Sequence, residues 1–363
     1  VTGWNFILTD KDYRPLGEIL NASERRVALP LNKLPTASGR VRLDHPLGDA
    51  LLSCQGYIKG YFNGTLEYFG PVISAEESFQ QDKATIAFNS VGIGWMLGKR
   101  LAGKSAGGQV FGAATDRAQI IKALIDAANA ENETGIDTTG SISSASATTY
   151  TAGPYKMISE CLNELALTLD GFDWRIDPID NFSGGLVTGT KIGTFLASPT
   201  FGVARPDAVF EAGTGRNNIV AYTRAITRDT QANKVYHNAQ PGPDAPGFPT
   251  VTAIDAQSIS DYKLLEDLAQ ADLLDGTLRQ RLVDEHVRVR KSPREVITFE
   301  PHLPDQFGRV PQYRTDFTVG DTIRARAKFG SSLRFDAMMR VWGVAFEIND
   351  EGSIKTILTL AQE

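Results

Sequence analysis

GYFNGTLEYFGPVISAEESFQQDKATIAF, residues 60–88, is the stretch on which the reading of the fold turns. Alternating apolar residues run into Asn63-Gly64, the dipeptide favoured in two-residue hairpin turns because both central positions need positive φ. A second strand leaves through Leu66, Tyr68 and Phe69. Gly70-Pro71 interrupts it, and since proline has no N–H to donate, that point is expected to be a bulge or an edge. A polar turn over residues 76–83 feeds another strand at residues 84–88.

The same pattern returns near the other end of the chain. Val319-Gly320-Asp321 is expected to open a strand as Leu47-Gly48-Asp49 does. Arg340-Val341-Trp342-Gly343-Val344 mirrors Tyr68-Phe69-Gly70-Pro71-Val72, with aromatic, glycine and apolar residues in succession. Asn349-Asp350-Glu351-Gly352 is a turn before a last strand at residues 355–360. Nearly equal intervals separate Gly48 from Gly70 and Gly320 from Gly343, which predicts an internal repeat. The fold expected is mainly β with α+β insertions, with two similar small β-barrels built from the two ends of the chain.

At 363 residues the chain has room for two to four domains. Its 42% hydrophobic and 22% charged residues are ordinary for globular protein. A net charge of −6 gives no basic footprint for gripping nucleic acid. Cys54 and Cys161 fall in different expected domains and suggest neither a disulfide framework nor a zinc site. No apolar run approaches membrane-spanning length, and no basic-then-apolar leader opens the sequence.

Residues 1–95 read as the first barrel, with strands around Phe6-Ile7-Leu8, Ala28-Leu29 and Val41. A polar stretch is expected at residues 32–40. Residues 96–205 read as an α+β insertion. Thr115 is expected to cap a helix whose buried face is Ile121, Leu124, Ile125 and Ala128. Residues 138–151, nearly all Ser, Thr, Gly and Ala, are expected to be a mobile loop. A second helix is expected from Pro154, with Ile158, Cys161, Leu162, Leu165 and Leu169 inward and Gly171 as its left-handed end. Phe172, Trp174 and Ile176 then alternate as a strand. Residues 206–235 and 308–363 are assigned to the second barrel, and 236–307 to a small insertion. That insertion holds a proline-rich loop with Pro241, Pro243, Pro246 and Pro249, and helical spacing at 262–274 and 278–289.

Gly98-Lys99-Arg100-Leu101-Ala102-Gly103-Lys104-Ser105 spells a phosphate-loop pattern, but Ala106-Gly107-Gly108 follows where a helix must begin. Gly103-Lys104-Ser105-Ala106-Gly107 also spells a nucleophile elbow. Its flanks fail too, and of the downstream histidines His237, His286 and His302, His237 reads as a loop residue and His286 as one on a solvated helix face. The carboxylates Glu76, Glu77, Asp170, Asp173, Asp177 and Asp180 read as turn and cap residues. Tyr68, Phe69 and Trp342 read as barrel core before a ligand platform. The sequence therefore predicts no catalytic, cofactor-binding or metal-ligating residue, no cofactor and no enzyme.

The order of these parts resembles the hub proteins at the tips of phage tails, the baseplate hub or tail-associated minor tail proteins. The resemblance is carried by the L-G-D and F-N-G-x-L-x-Y-F-G-P-V stretches, Asp170-Gly171-Phe172-Asp173-Trp174 in the insertion, and the closing V-G-D and R-V-W-G-V stretches. It implies a homotrimeric ring whose two barrels per chain give pseudo-sixfold symmetry. Such a ring would join a hexameric tail tube or distal tail protein above to spike or receptor-binding fibre proteins below. A tape measure protein is a further implied partner, and DNA would pass through without sequence recognition. The implied location is the virion tail tip, after assembly in the host cytoplasm. Some relatives carry a long C-terminal peptidase or receptor-binding extension, for which the sequence ending at Glu363 is expected to leave no room. The alternative is a glycan-binding or glycan-cleaving tail-tip protein using the Asp170 to Asp180 region or the aromatics.

Overall fold

The computed structural model describes residues 3–80, 83–104, 108–213, 217–237, 251–269, 276–302 and 310–361. The proline-rich loop and Ser105-Ala106-Gly107 lie outside these residues.

The first ninety residues supply strands β1 (Trp4–Thr9), β2 (Pro15–Glu18), β3 (Ser23–Pro30), β4 (Thr36–Arg42), β5 (Tyr57–Phe62), β6 (Thr65–Gln80) and β7 (Lys83–Val91). A short helix, α1 (Gly48–Leu52), lies between β4 and β5. Asn63 and Gly64 both have positive φ, 50° and 84°, and close the β5–β6 hairpin as the dipeptide requires. After a 3-10 turn at Ile93–Lys99, the first insertion holds β8 (Gln109–Asp116), α2 (Arg117–Glu131), β9 (Ile136–Asp137), β10 (Ala147–Ala152) and α3 (Ile158–Ala166). It continues with β11 (Asp173–Pro178), β12 (Phe182–Ser183), β13 (Leu186–Val187) and β14 (Gly193–Ser198). Then come β15 (Ala204–Gly213), β16 (Ile219–Thr227), β17 (Lys234–His237), β18 (Val251–Ile254), α4 (Ala256–Tyr262), β19 (Glu266–Leu268) and α5 (Gly276–Arg290). Strands β20 (Arg294–Pro301), β21 (Thr322–Phe329), β22 (Ser332–Ile348) and β23 (Ile354–Ala361) close the chain. The fold is mainly β with α+β insertions, as the sequence predicts.

Thirteen of the described strands form one sheet, and its pairing order repeats. In the N-terminal set, β1 pairs β5, then β5–β6, β6–β7, β7–β4 and β4–β3 follow. In the C-terminal set, β15 pairs β21, then β21–β22, β22–β23, β23–β20 and β20–β16 follow. Taken in chain order, β1, β3, β4, β5, β6 and β7 correspond one to one with β15, β16, β20, β21, β22 and β23. The one difference in sense is that β1 runs antiparallel to β5 while β15 runs parallel to β21. The two sets meet where β3 pairs with β22, from Gly343 opposite Pro30 to Ile348 opposite Arg25.

In both sets the long strand is shared between two hairpins and bulges just past the changeover. Ile73 is the extra residue between the pairs Val72–Ser90 and Ser74–Asn89. Trp342 is the extra residue between Val341–Leu360 and Gly343–Thr359. Pairing therefore equates Val72 with Val341, so the glycine-anchored alignment of Gly70 with Gly343 is out of step by a few residues. The two glycines also differ physically. A Cβ on Gly70 would lie 2.0 Å from the Val91 carbonyl oxygen, whereas one on Gly343 would meet Pro30 at an ordinary 3.5 Å. Leu47-Gly48-Asp49 leads into α1, not a strand, while Val319-Gly320-Asp321 does lead into β21.

Other local expectations shift. Asp116, not Thr115, caps α2, accepting from the Ala118 and Gln119 amides. The Ser/Thr-rich segment is ordered: β10 pairs with β8, and Asp116 accepts from the Ser144 amide. The second helix begins at Ile158, past Pro154, and Asp170 rather than Gly171 takes the left-handed conformation after it. Residues 262–268 hold the end of α4 and β19 instead of a helix, while α5 covers the spacing read at 278–289. β4 already begins at Thr36, within the stretch read as polar loop. β17 pairs with β18 and β19 in a small separate sheet, and β20 sits in the large sheet between β16 and β23.

Two hydrophobic cores result. One joins N- and C-terminal strands through residues such as Phe6, Val27, Phe88, Phe210, Phe299 and Phe346. The other joins both insertions, with Ile121, Leu124, Leu162 and Phe195 from the first and Val235, Leu282 and Val283 from the second.

Candidate functional site: the joint between the large sheet and the insertions

Arg340 stands where β22 passes from β21 to β23, paired with Thr322 on one edge and Ala361 on the other. Its side chain is buried and forms an ion pair with buried Asp173 at the start of β11. It also donates to the carbonyls of Gly320 (3.2 Å) and Phe201 (3.0 Å). Asp173 accepts in addition from the Phe201 amide (2.8 Å) and from Asn32 Nδ2 (2.8 Å). Asn32, in the β3–β4 turn, accepts from the Trp174 amide at 2.7 Å. One polar knot thus fastens the N-terminal set, the first insertion and the C-terminal set. Buried charge is tolerated there because the pair is matched and its remaining hydrogen-bonding capacity is used. Asp321 continues the knot by accepting from the amides of Val203 (2.8 Å) and Thr318 (2.9 Å), which explains the acid after Gly320.

Two more ties flank it. Lys59 on β5 is fully buried, donates to Asn181 Oδ1 (3.0 Å), lies 3.7 Å from Asp180 and sits over the rings of Phe69 and Phe182. Burial pushes its ammonium pKa down, and Asp180 opposes that shift. Glu67 on β6, also buried, accepts from Arg314 Nε (2.8 Å) and the Tyr313 hydroxyl (3.3 Å). Nothing in the sequence marked Asn32, Lys59, Glu67 or Arg314, whose partners lie far off in the chain.

The residues singled out from the sequence do not converge. Asp170, Asp173, Asp177 and Asp180 each meet a different cation: Arg281, Arg340, Arg175 and Lys59. Glu76 and Glu77 lie on the exposed half of β6. Tyr68 is buried, with its hydroxyl donating to Ser90 at 2.7 Å, and Phe69 packs edge-on against Tyr13 and Tyr57. Trp174 is buried too, which removes it as a sugar-stacking platform. Arg100 and Lys104 of the phosphate-loop pattern turn to the C-terminal end of α2. There Arg100 donates to the Ala128 carbonyl (2.7 Å) and Lys104 pairs with Glu131. That is the end of a helix that attracts cations, opposite to the end that binds phosphate. His237 is buried on β17 rather than exposed in a loop. His286 is half-buried on α5, and burial pushes its pKa down, with Arg290 adding to the shift. Among the described residues no group of three or more His, Cys, Asp or Glu is placed to hold a metal, and no helix is long and apolar enough to cross a membrane.

No protein-family model matches the chain, and no curated protein matches it significantly. Solved structures do. The 43 kDa tail protein of prophage MuSo2 from Shewanella oneidensis aligns with a TM-score of 0.62 at 9% identity, covering 99% of this chain and 98% of that one. A tail protein from Neisseria meningitidis MC58 aligns at 0.55 and 11% identity, covering 99% and 97%. Prophage tail protein gp18 from Listeria monocytogenes EGD-e aligns at 0.54 and 10% identity, covering 99% and 94%. Over nearly its whole length the chain has the fold of prophage tail proteins.

Proposed function

We propose that this chain is a structural component of a phage tail, the tail-tip hub, and that it carries no catalytic activity. The observation that supports this most directly is the repeated six-strand set, read here as two β-barrels per chain. Three copies would then form a ring of six similar barrels, with threefold true symmetry and near-sixfold shape. Such a ring matches a hexameric tube or distal tail protein on one side and threefold spike or fibre proteins on the other. It frames a channel through which the tape measure protein and DNA pass, located at the tip of the virion. The full-length fold likeness to prophage tail proteins supports the same reading. On this reading residues 96–205, and the stretch between β16 and β20, are insertions carried on the ring.

Light scattering of the purified chain over a range of concentrations tests the ring. A species three times the 39.4 kDa chain mass is expected at high concentration. A stable dimer, whose twofold contact cannot build a threefold ring, counts against it.

A further inference from the structure

The repeat carries a specific prediction about which edges join neighbouring copies, resting on the ring reading above. Within one chain, β3 of the N-terminal set lies antiparallel along residues 343–348 of β22. The strand corresponding to β3 in the C-terminal set is β16, and the strand corresponding to β22 in the N-terminal set is β6. Neither uses the corresponding edge within the chain. Among the described residues β16 pairs with β20 alone, and residues 72–80 of β6 pair with β7 alone. Both stretches are unusually bare for sheet strands: Val220 and Ile226 are 55% and 59% exposed, Ile73 and Phe79 40% and 71%.

We infer that β16 of one copy pairs antiparallel with residues 74–79 of β6 in the next copy, reproducing the β3–β22 joint. The register follows from the pairings. Bulge equivalence sets Gly343 against Ser74, and the chain of pairs through β23, β20 and β4 sets Val27 against Arg224. The internal pair Val27–Phe346 then becomes Arg224 opposite Glu77, Arg25–Ile348 becomes Tyr222 opposite Phe79, and Leu29–Val344 becomes Ile226 opposite Ala75. On one face of the joint Arg224, which also pairs with Glu295 of its own chain, thus meets Glu77, and apolar or aromatic side chains meet two residues to either side, a combination that stabilises cross-strand pairs. Val27, Phe346 and Val344 are buried in the internal joint, while Arg224, Glu77, Phe79 and Ile226 are exposed in the single chain. The occupant of each bare edge is therefore a second copy of this chain. The contact is head-to-tail, so copies add in one direction until the ring closes. It also covers two open strand edges that would otherwise invite uncontrolled pairing.

The test uses Ala225 and Glu76, which the register places directly opposite, as Ala28 faces Ala345 inside the chain. Ala225→Cys and Glu76→Cys are made singly and together in a Cys54→Ser background, since Cys54 is the exposed native cysteine. Each protein is treated with a short bis-maleimide at its highest soluble concentration and run under denaturing conditions. The doubly substituted chain is expected to give covalent trimers, and a mixture of the two single variants is expected to give dimers. Neither single variant alone is expected to cross-link. Cross-linking within a single variant means a twofold contact and overturns the inference. A trimer by light scattering with no cross-link in the doubly substituted chain overturns the edge assignment and leaves the ring reading standing. A monomer that does not cross-link overturns both.

Discussion

Asp173 and Arg340 lie far apart in the chain, and their buried side chains form the ion pair that fastens the first insertion to the large sheet. Removing one partner leaves the other charge buried and unmatched. Arg340→Met or Asp173→Asn should each cost about 3–5 kcal/mol, with the double variant losing less than the two losses added. Urea unfolding of the four proteins checks this; strict additivity would mean the two groups do not act as a pair.

The two glycines that first suggested the repeat should now behave differently. Gly70→Ala pushes a methyl into the Val91 carbonyl and is expected to cost about 2–4 kcal/mol. Gly343→Ala meets Pro30 at van der Waals distance and should stay within about 1 kcal/mol of the parent. Thermal unfolding of both variants decides between this steric account and an equal role for the two positions.

Trp174→Ala should act on stability, not on sugar binding. The indole is buried in the core shared by the insertions, and its loss should cost about 3–5 kcal/mol. A variant that unfolds like the parent but loses a glycan-binding signal would revive the sugar-platform reading.

The two thiols should separate by reactivity. Cys54 is exposed, whereas burial pushes the Cys161 thiol up to about 11. At pH 8 a thiol reagent should modify Cys54 and spare Cys161 in the folded chain, as mass spectrometry can show. The folded-state pKa is raised above an unfolded value of about 8.5. The neutral thiol's contribution is therefore complete below that pH and is lost as pH climbs towards the folded value. A Cys161→Ala variant should lose less stability between pH 8 and pH 10 than the parent.

Local chemistry made much of this fold legible. Asn63-Gly64 needs nothing beyond its own backbone preferences, and the apolar spacing of α2 and α5 survives because each buries one stripe. β10 is not legible from the sequence because its inward residues are Thr148, Tyr150 and Ala152, which alternate in burial without alternating in hydrophobicity. The repeat was visible, but its alignment was not. The bulges at Ile73 and Trp342 are set by which residues β7 and β23 oppose, and a glycine need not mark them. The polar knot was out of reach for another reason. Asn32, Asp173 and Arg340 are each ordinary in their own neighbourhoods, and only the folded chain brings them together.

The β3–β22 joint also bears on how the chain reaches its native state. One edge of β3 is taken by β4 at once, but the other must wait for a partner more than three hundred residues later in synthesis. The core shared by the insertions cannot close until α5 has been made. A ribosome-bound nascent chain therefore holds β3 paired to β4 on one side and open along its other edge through most of translation. Loop closure of that span precedes the contacts that reward it, so folding is expected to be late and slow. Over that interval the open edge is vulnerable to aggregation or to capture by a chaperone.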